Sequence, residues 1–192
     1  MMSCRRTILA TDLSLLPLGQ PLLLGSTTAL ATAAVVFSTQ AAVAQSVQVF
    51  IKRGYAKFKK GDYEEAIADL DKALEIDPQL AKAYGMRGVA KRALRDNKGA
   101  IIDFNRALEI DPQMFPAYYS RGLAKGALED YQGAIADFTR AIEIDPQYAN
   151  AYSNRGMAKE LVGDRKGACA DLKEASSLGH KGAAVWVRVQ CQ

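Results

Sequence analysis

Four arginines recur in this chain, and a regular row of guanidinium groups could bind phosphate or an acidic ligand. They stand 34 residues apart, at Arg53, Arg87, Arg121 and Arg155. Aspartates recur in the same register, at Asp69, Asp103, Asp137 and Asp171. Because the acids match the bases in number and in register, we interpret both series as internal ion pairs. Such pairs fix geometry more than they add stability.

A second basic series consists of Lys57, Lys91, Lys125 and Lys159. We expect the aliphatic parts of these lysines to lie between helices and their ammonium groups to remain in solvent. The whole chain carries a net charge of only +4, with acidic and basic residues interspersed. Nucleic-acid binding is typical of a single-sign block, so we predict no nucleic-acid partner.

Catalytic and metal-binding chemistry has little support in the residue inventory. His180 is the only histidine, and a metal site would need more histidines or cysteines beside it. The glycines recur at the spacing of the arginines and do not cluster into a phosphate-binding loop. We therefore predict that the protein is not an enzyme and that it binds no metal and no cofactor. A hydrolase or transferase with an unrecognised site is the disfavoured alternative.

The whole central part of the chain is repetitive. The string Glu-Ile-Asp-Pro-Gln begins at Glu75, Glu109 and Glu143, and the pair Arg-Gly occurs four times at the same period of 34 residues. A fixed period of this length is typical of stacked repeat units. The predicted units are 47–80, 81–114, 115–148 and 149–182.

Each unit has the spacing of two helices joined by a turn. In the second unit, Tyr84 and Lys91 share one face of a first helix, residues 96–99 form a turn, and Pro112 ends a second helix. Small residues recur where the two helices should meet, with Gly54, Gly88, Gly122 and Gly156 expected to face Ala66, Ala100, Ala134 and Ala168. An aromatic stripe beside this contact comprises Phe50, Tyr84, Tyr118 and Tyr152.

The period, the glycine, alanine and aromatic positions and the closing proline together resemble the tetratricopeptide repeat, most closely in exported repeat proteins of photosynthetic bacteria. The resemblance covers residues 47–182. It implies an all-α fold, a right-handed α-solenoid of four helical hairpins whose first helices line a concave groove for a peptide or a partner helix. Residues 183–192 should form a capping helix over the end of the stack, although Val185, Val187 and Val189 would also suit a strand.

The resemblance also indicates a partner-binding groove. Its residues should be Ile51, Tyr55, Lys82, Val89, Arg92, Tyr119, Leu123, Asn150, Asn154 and Met157. Family members that bind chaperone tails clamp a terminal carboxylate with Lys, Asn and Arg, and here only Lys82 and Asn154 approach that set. A second interpretation is that these residues pack within the stack and the groove binds nothing.

The first part of the chain has the features of a targeting segment. No charged residue occurs between Leu13 and Ile51, a basic pair precedes an apolar stretch, and Ala42-Val43-Ala44 offers a cleavage site. We predict a signal peptide over residues 1–44 and export to the periplasm or the thylakoid lumen. The alternative is an uncleaved membrane anchor, because residues 22–44 are long enough to span a bilayer.

Cleavage would remove Cys4 and leave a pair, Cys169 and Cys191. In an oxidising compartment such a pair favours a disulfide. Cys169 takes the place of the isoleucines that pack on the next unit, and the turn at His180 lies 11 residues from each cysteine. An antiparallel helical hairpin would therefore bring the two side by side, and we predict a Cys169–Cys191 bond.

These features together predict a non-catalytic scaffold that binds a protein or peptide partner in its groove, outside the cytoplasm. It would meet a membrane only through the N-terminal segment, if that segment is uncleaved. The alternative is a permanent structural subunit of a larger assembly, possessing a fixed partner instead of a changing one.

Export can be tested at the N-terminus of the native protein. We expect Edman sequencing or mass spectrometry to find Gln45, or a residue within a few positions of it, as the first residue. An intact Met1 on a soluble cytoplasmic protein would contradict the prediction.

Overall fold

The structure is a computed structural model, and it describes the backbone of residues 26–191 and the side chains of residues 43–191. This part of the chain contains nine helices and no strand. The helices are α1 (Ser26–Lys60), α2 (Tyr63–Ile76), α3 (Ala81–Ala93), α4 (Asn97–Ile110), α5 (Phe115–Ala127), α6 (Tyr131–Ile144), α7 (Ala149–Leu161), α8 (Arg165–Ser177) and α9 (Lys181–Gln190).

The chain divides into two compact units, Met1–Gln40 and Ala41–Gln192, and the repeats lie in the second. Residues 1–25 of the predicted signal peptide lie outside the described residues, and residues 26–44 belong to α1. No helix between residues 26 and 191 is both long enough and apolar enough to cross a membrane.

From α2 onward, each helix packs against the next, in the order of an all-α solenoid. The first helices of successive units also meet, α3 with α5 and α5 with α7. The second helices of the first three units, α2, α4 and α6, each end before an aspartate whose carboxylate accepts from a backbone N–H two residues later, as Asp111 does from Gln113 at 3.0 Å. The recurring Asp-Pro-Gln string thus forms the turn between units, because the aspartate caps the turn and the proline stops the helix.

The turns within units follow a second rule. Asp96, Asp130 and Asp164 each accept from the backbone N–H three residues ahead and so cap the second helix of their unit. The residue before each of these aspartates has a positive φ, of 64° at Arg95 and 88° at Gly163. These turns hold both helices of a hairpin in register.

The Arg–Lys–Asp cluster, meaning one member of each recurring series, is the central polar feature of every unit. Arg121 Nε donates to Asp137 Oδ2 at 2.9 Å, and its Nη2 donates to Oδ1 at 2.6 Å. Lys125 Nζ pairs with the same carboxylate at 2.8 Å. The other clusters are Arg53–Lys57–Asp69, Arg87–Lys91–Asp103 and Arg155–Lys159–Asp171. The internal ion pairs predicted from the sequence are therefore confirmed.

The lysine expectation was wrong in one respect. The stem of Lys91 does lie between helices, but its ammonium group binds Asp103 instead of remaining in solvent. The cause is the depth of the carboxylate, which is only 1% exposed and accepts from both basic residues. A buried charge needs several partners to replace its water.

The arginines of the second, third and fourth units also reach back to the second helix of the unit before them. Arg87 Nη1 donates to Asp71 Oδ1 at 2.5 Å, Arg121 Nη1 to Asn105 Oδ1 at 2.6 Å, and Arg155 Nη1 to Thr139 Oγ1 at 3.1 Å. One guanidinium thereby joins three helices. It also lies over the aromatic ring three residues earlier, as Arg121 does over Tyr118 at 5.4 Å.

Two of the recurring glycines, Gly88 and Gly122, make room for an aromatic ring, whereas Gly54 and Gly156 lie against a leucine and the backbone oxygen of Ala66 or Ala168. A Cβ on Gly122 would lie 2.7 Å from Cε1 of Phe138, and one on Gly88 would lie equally close to Phe104. The sequence led us to expect alanine methyl groups opposite these glycines. The rings fill that space instead, and both are almost fully buried.

The C-terminal end is closed by α9, and the alternative of a strand there is wrong. Ala183, Trp186 and Val187 pack against the last repeat at Leu172 and Ala175. Cys169 and Cys191 form a disulfide with their Cα atoms 5.6 Å apart. His180 accepts from the N–H of Ala183 at 3.0 Å and caps the helix.

Glycine packing predicts opposite effects at two positions of α5. Gly122→Ala should destabilise the protein by about 1–3 kcal/mol, because the Phe138 ring must move. Gly126→Ala is the matched control, since its Cβ would meet Ala134 Cβ at 3.9 Å, an ordinary contact. It should leave stability unchanged or raise it by up to about 1 kcal/mol. Urea unfolding of the three proteins measures both values, and equal stability of the two variants would contradict this packing.

The buried carboxylate of Asp69 predicts a loss of stability in acid. Hydrogen bonds from Arg53, helped by Lys57 and opposed by burial, lower the pKa of Asp69 to about 2. A carboxyl group with a lowered pKa in the folded state contributes stability above its ordinary pKa of about 4. That contribution should disappear as the pH falls from about 4 to about 2.

Urea unfolding across this pH range, with wild type and Asp69→Asn, measures the effect. The difference in unfolding free energy between the two should shrink as the pH falls. Asp62→Asn is the control, because Asp62 is exposed and its side chain makes no capping hydrogen bond. A difference that stays constant down to about pH 2 would mean that the Asp69 carboxylate does not stabilise the fold through its charge.

Candidate partner-binding groove

The first helices α3, α5 and α7 lie side by side, and two cavities open along them. The larger, of about 300 Å³, lies between α1, α3 and α5. Tyr55, Lys82 and Val89 of the sequence-predicted groove line it. Its remaining lining residues are Phe58, Gly85, Met86, Phe104, Met114, Pro116, Ala117 and Ser120. We call this the methionine pocket; Lys82 is its only charged residue.

A second cavity, of about 190 Å³, lies between α5, α6 and α7. Leu123, Asn154 and Met157 of the predicted groove line it, together with Gly126 and Leu161. No residue that lines this cavity carries a formal charge. The two cavities together bring six of the ten predicted groove residues to a cavity wall.

The other four predicted residues lie outside the cavity walls. Ile51 and Arg92 are half-buried, and Asn150 is exposed. The Tyr119 hydroxyl accepts from Asn154 Nδ2 at 3.1 Å, while the same amide nitrogen donates to the backbone carbonyl of Asn150 at 2.8 Å. Tyr119 is thus hydrogen-bonded to Asn154, which lines the second cavity.

Burial has the largest effect on the protonation of the Tyr119 hydroxyl. Burial raises the pKa of the Tyr119 hydroxyl above its ordinary value, as does the neighbouring Tyr148, whereas the positive charge of Arg92 lowers it. The rings of Tyr119 and Tyr148 meet edge to face with centroids 4.9 Å apart. Both hydroxyls therefore stay neutral near pH 7 and act as hydrogen-bonding groups.

The predicted groove residues that occupy one equivalent position in the four units form a stripe, and they differ in exposure. Tyr55 and Met157 are 53% and 54% exposed, whereas Val89 and Leu123 are half-buried. Val89 packs against the cluster formed by Ala100 and Phe104 and also lines the methionine pocket. The stripe therefore both contributes to the stack and presents apolar surface to solvent.

Three family models match the chain. One for the TPR repeat covers residues 54–91, and two for the tetratricopeptide repeat cover residues 81–114 and 115–148. The chain is a tetratricopeptide-repeat protein. No curated protein sequence matches it significantly.

Solved structures show the same fold. A crystal structure of MamA is 29% identical with a TM-score of 0.68, over 72% of this chain and 81% of that one. The first TPR of Spaghetti (RPAP3) bound to the HSP90 peptide SRMEEVD is 28% identical with a TM-score of 0.61, over 62% and 94%. Pseudomonas aeruginosa pilF, at 21% identity and a TM-score of 0.69 over 76% and 68%, shows likeness of fold alone.

Sequence reasoning missed several residues of the methionine pocket in this repeat protein. Met86 and Ser120 are the sixth residues of α3 and α5. The sequence analysis had chosen the preceding position of the repeat instead, which is occupied by Ile51 in the first unit and by Tyr119 in the third. Met114 lies in the turn before α5, outside any helix. Phe58 stands one turn beyond Tyr55, so helical periodicity could have found it.

The walls of both cavities offer mainly apolar and hydrogen-bonding contacts. Apolar side chains, thioethers and neutral hydroxyl or amide groups form most of their walls, and Lys82 adds one ammonium group to the methionine pocket. Among residues 43–191, no group of three His, Cys, Asp or Glu side chains is placed to hold a metal ion. The walls are suited to burying apolar side chains of another molecule.

Proposed function

We propose that this protein is a non-catalytic protein–protein interaction scaffold that binds a partner segment in its concave groove. The observation that carries the proposal is the methionine pocket, a cavity of about 300 Å³ with apolar walls beside the exposed ring of Tyr55. A cavity of this size accepts one large apolar side chain of a partner.

The pocket combines a fixed floor with adaptable walls. The Phe104 ring is fully buried beneath it and held against Gly88. Met86 and Met114 lie in its walls, and methionine can repack around side chains of different shape. A floor that is already ordered lowers the entropic cost of binding, because little must be immobilised when the partner arrives.

The similar structure of the Spaghetti TPR bound to an HSP90 peptide supports a peptide or protein as the partner. That similarity covers 62% of this chain and 94% of the other. In the present protein, no clamp of Lys, Asn and Arg lines the methionine pocket, where Lys82 is alone. We therefore infer recognition of an internal segment through its side chains and not of a terminal carboxylate.

We further propose that the scaffold works outside the cytoplasm, in the periplasm or thylakoid lumen. The charge-free N-terminal stretch and the Ala42-Val43-Ala44 site support export. The Cys169–Cys191 disulfide supports an oxidising compartment. Retention of residues 22–44 as an anchor would place the same scaffold on a membrane surface.

One observation favours a permanent structural subunit as the second candidate. Val185 and Val189 on α9 are 62% and 66% exposed, which leaves an apolar strip at the end of the stack. A fixed neighbour in a larger assembly would cover such a strip. Mass spectrometry of proteins co-purified from the exported fraction separates the candidates, since a stoichiometric partner indicates the subunit and a changing set indicates the scaffold.

The groove proposal predicts a loss of binding without a loss of folding. Leu123→Glu places a charge in the wall of the second cavity and should abolish partner capture from the exported fraction. The melting temperature should change little, because Leu123 is only half-buried. Ile102→Glu is the matched control, since Ile102 is an exposed apolar residue on the second helix α4. Unfolding of Leu123→Glu, or equal capture by all three proteins, would contradict the proposal.

A further inference from the structure

Two buried polar atoms lack a hydrogen-bond partner among the described side chains, and they occupy equivalent positions. They are Nε of Arg92 and Oε2 of Glu160. Arg92 is the twelfth residue of α3, and Glu160 is the twelfth residue of α7, two repeats further along. Buried polar atoms without partners are rare and costly, at about 1–3 kcal/mol each.

The twelfth position of the first helices faces the groove. Its occupant in the first unit, Phe58, lines the methionine pocket, and its occupant in the third, Gly126, lines the second cavity. Arg92 stands one turn beyond Val89 of the methionine pocket and acts electrostatically on Tyr119. Glu160 directly precedes Leu161 of the second cavity. Both charges therefore border the surface to which we have assigned partner binding.

Arg92 differs from the four arginines of the Arg–Lys–Asp clusters. Each of those forms an ion pair with a buried aspartate, whereas no acidic side chain between residues 43 and 191 forms an ion pair with Arg92. Its guanidinium is half-buried, with one edge covered by the protein. It is thus a cation held at the groove whose charge the described structure leaves unmatched.

Glu160 is satisfied on one side only. Its Oε1 accepts from Arg165 Nε at 3.2 Å, and Arg165 is 84% exposed. An ion pair with so exposed an arginine contributes little. The second oxygen is covered by protein and has no donor. The fourth unit therefore presents an acceptor where the second unit presents a donor.

We propose that the exposed parts of the Arg92 and Glu160 side chains are charged contacts at the border of the groove and that they recognise a peptide segment of mixed charge. The segment carries an acidic side chain opposite Arg92, a basic side chain opposite Glu160, and apolar side chains for the two cavities. This inference rests on the proposed function, since it names the chemistry of the partner for the same groove. Opposite charges at the two ends also give the bound segment one orientation.

The spacing of the two charges in the partner follows from helix packing. Neighbouring helices pack with axes about 8–10 Å apart, so two steps from α3 to α7 span about 16–20 Å. An extended chain rises about 3.3 Å per residue, which places the acidic and basic residues about five or six positions apart.

Fluorescein-labelled peptides provide the test. Each peptide is a short sequence of serine and leucine with two variable sites about six positions apart. The two sites carry Glu and Lys in either order in the mixed-charge peptides, two Glu or two Lys in the like-charge peptides, and two Ser in the uncharged peptide. Fluorescence anisotropy with the mature wild-type protein should show a mixed-charge peptide binding about tenfold more tightly than either like-charge peptide, a difference of about 1.4 kcal/mol.

Charge reversal then assigns the residues. Arg92→Glu should prefer the peptide with two Lys, and Glu160→Arg should prefer the one with two Glu, each by about tenfold. The matched controls are Arg95→Glu and Glu129→Arg, which make the same charge changes in exposed turns. Arg95 and Glu129 have φ values of 64° and 63° at equivalent positions, so each site already accepts the other's side chain. Both controls should keep the wild-type preference.

The outcomes separate this inference from the proposed function. Equal affinity of the wild-type protein for mixed-charge and like-charge peptides overturns the inference. If the uncharged peptide still binds, and Gly85→Leu, which fills the methionine pocket, prevents it, the scaffold function stands alone. If the wild-type protein binds none of the peptides, both proposals are contradicted. Circular dichroism and melting curves of every variant exclude loss of folding as the cause.

Discussion

The buried carboxylate in each unit is the constraint on which the other contacts of the repeat depend. An aspartate that is no more than 5% exposed must have its charge compensated within the protein. Arginine and lysine from the first helix of the same unit supply that compensation from two successive turns. The relative rotation of the two helices is thereby fixed, because any other rotation would leave the carboxylate unpaired. Register follows from this polar contact, and apolar packing fills the space around it.

The glycine and the phenylalanine that meet inside the hairpin determine how the groove is shaped. The Phe104 ring lies where a side chain on Gly88 would be, so it is held in one place beneath the first helices. The floor of the methionine pocket is thus part of the core, while its walls come from surface residues. The Phe104 ring therefore contributes both to the stability of the hairpin and to the shape of the proposed binding surface. Because Gly88 leaves room for the ring on its other side, the ring does not move to fill the methionine pocket.

Much of this could be predicted from the sequence, because a repeat displays its geometry several times. The period, the hairpins and the arginine–aspartate pairs follow from residues at equivalent positions, and the Cys169–Cys191 bond follows from the equal distance of the two cysteines from the turn at His180. How deeply each side chain is buried could not be predicted in the same way. The sequence showed that Lys91 and Asp103 recur, but not that the carboxylate is buried enough to draw in the ammonium group. Met114, in a turn, has no periodicity that would have marked it as part of a pocket, and the missing partner of Arg92 depends on side-chain reach.

The backward contacts of the arginines make the coupling between neighbouring repeats unequal. The acceptor is a charged carboxylate at Asp71, a neutral amide at Asn105 and a hydroxyl at Thr139, so the bond weakens from one junction to the next. In a linear array, where each repeat is stabilised mainly by its neighbours, the weakest junction is where fraying begins. The Cys169–Cys191 bond lies just beyond that junction and ties the last hairpin to α9. Because this covalent link does not cross the weak junction, the last hairpin and α9 should fray from the stack as one block.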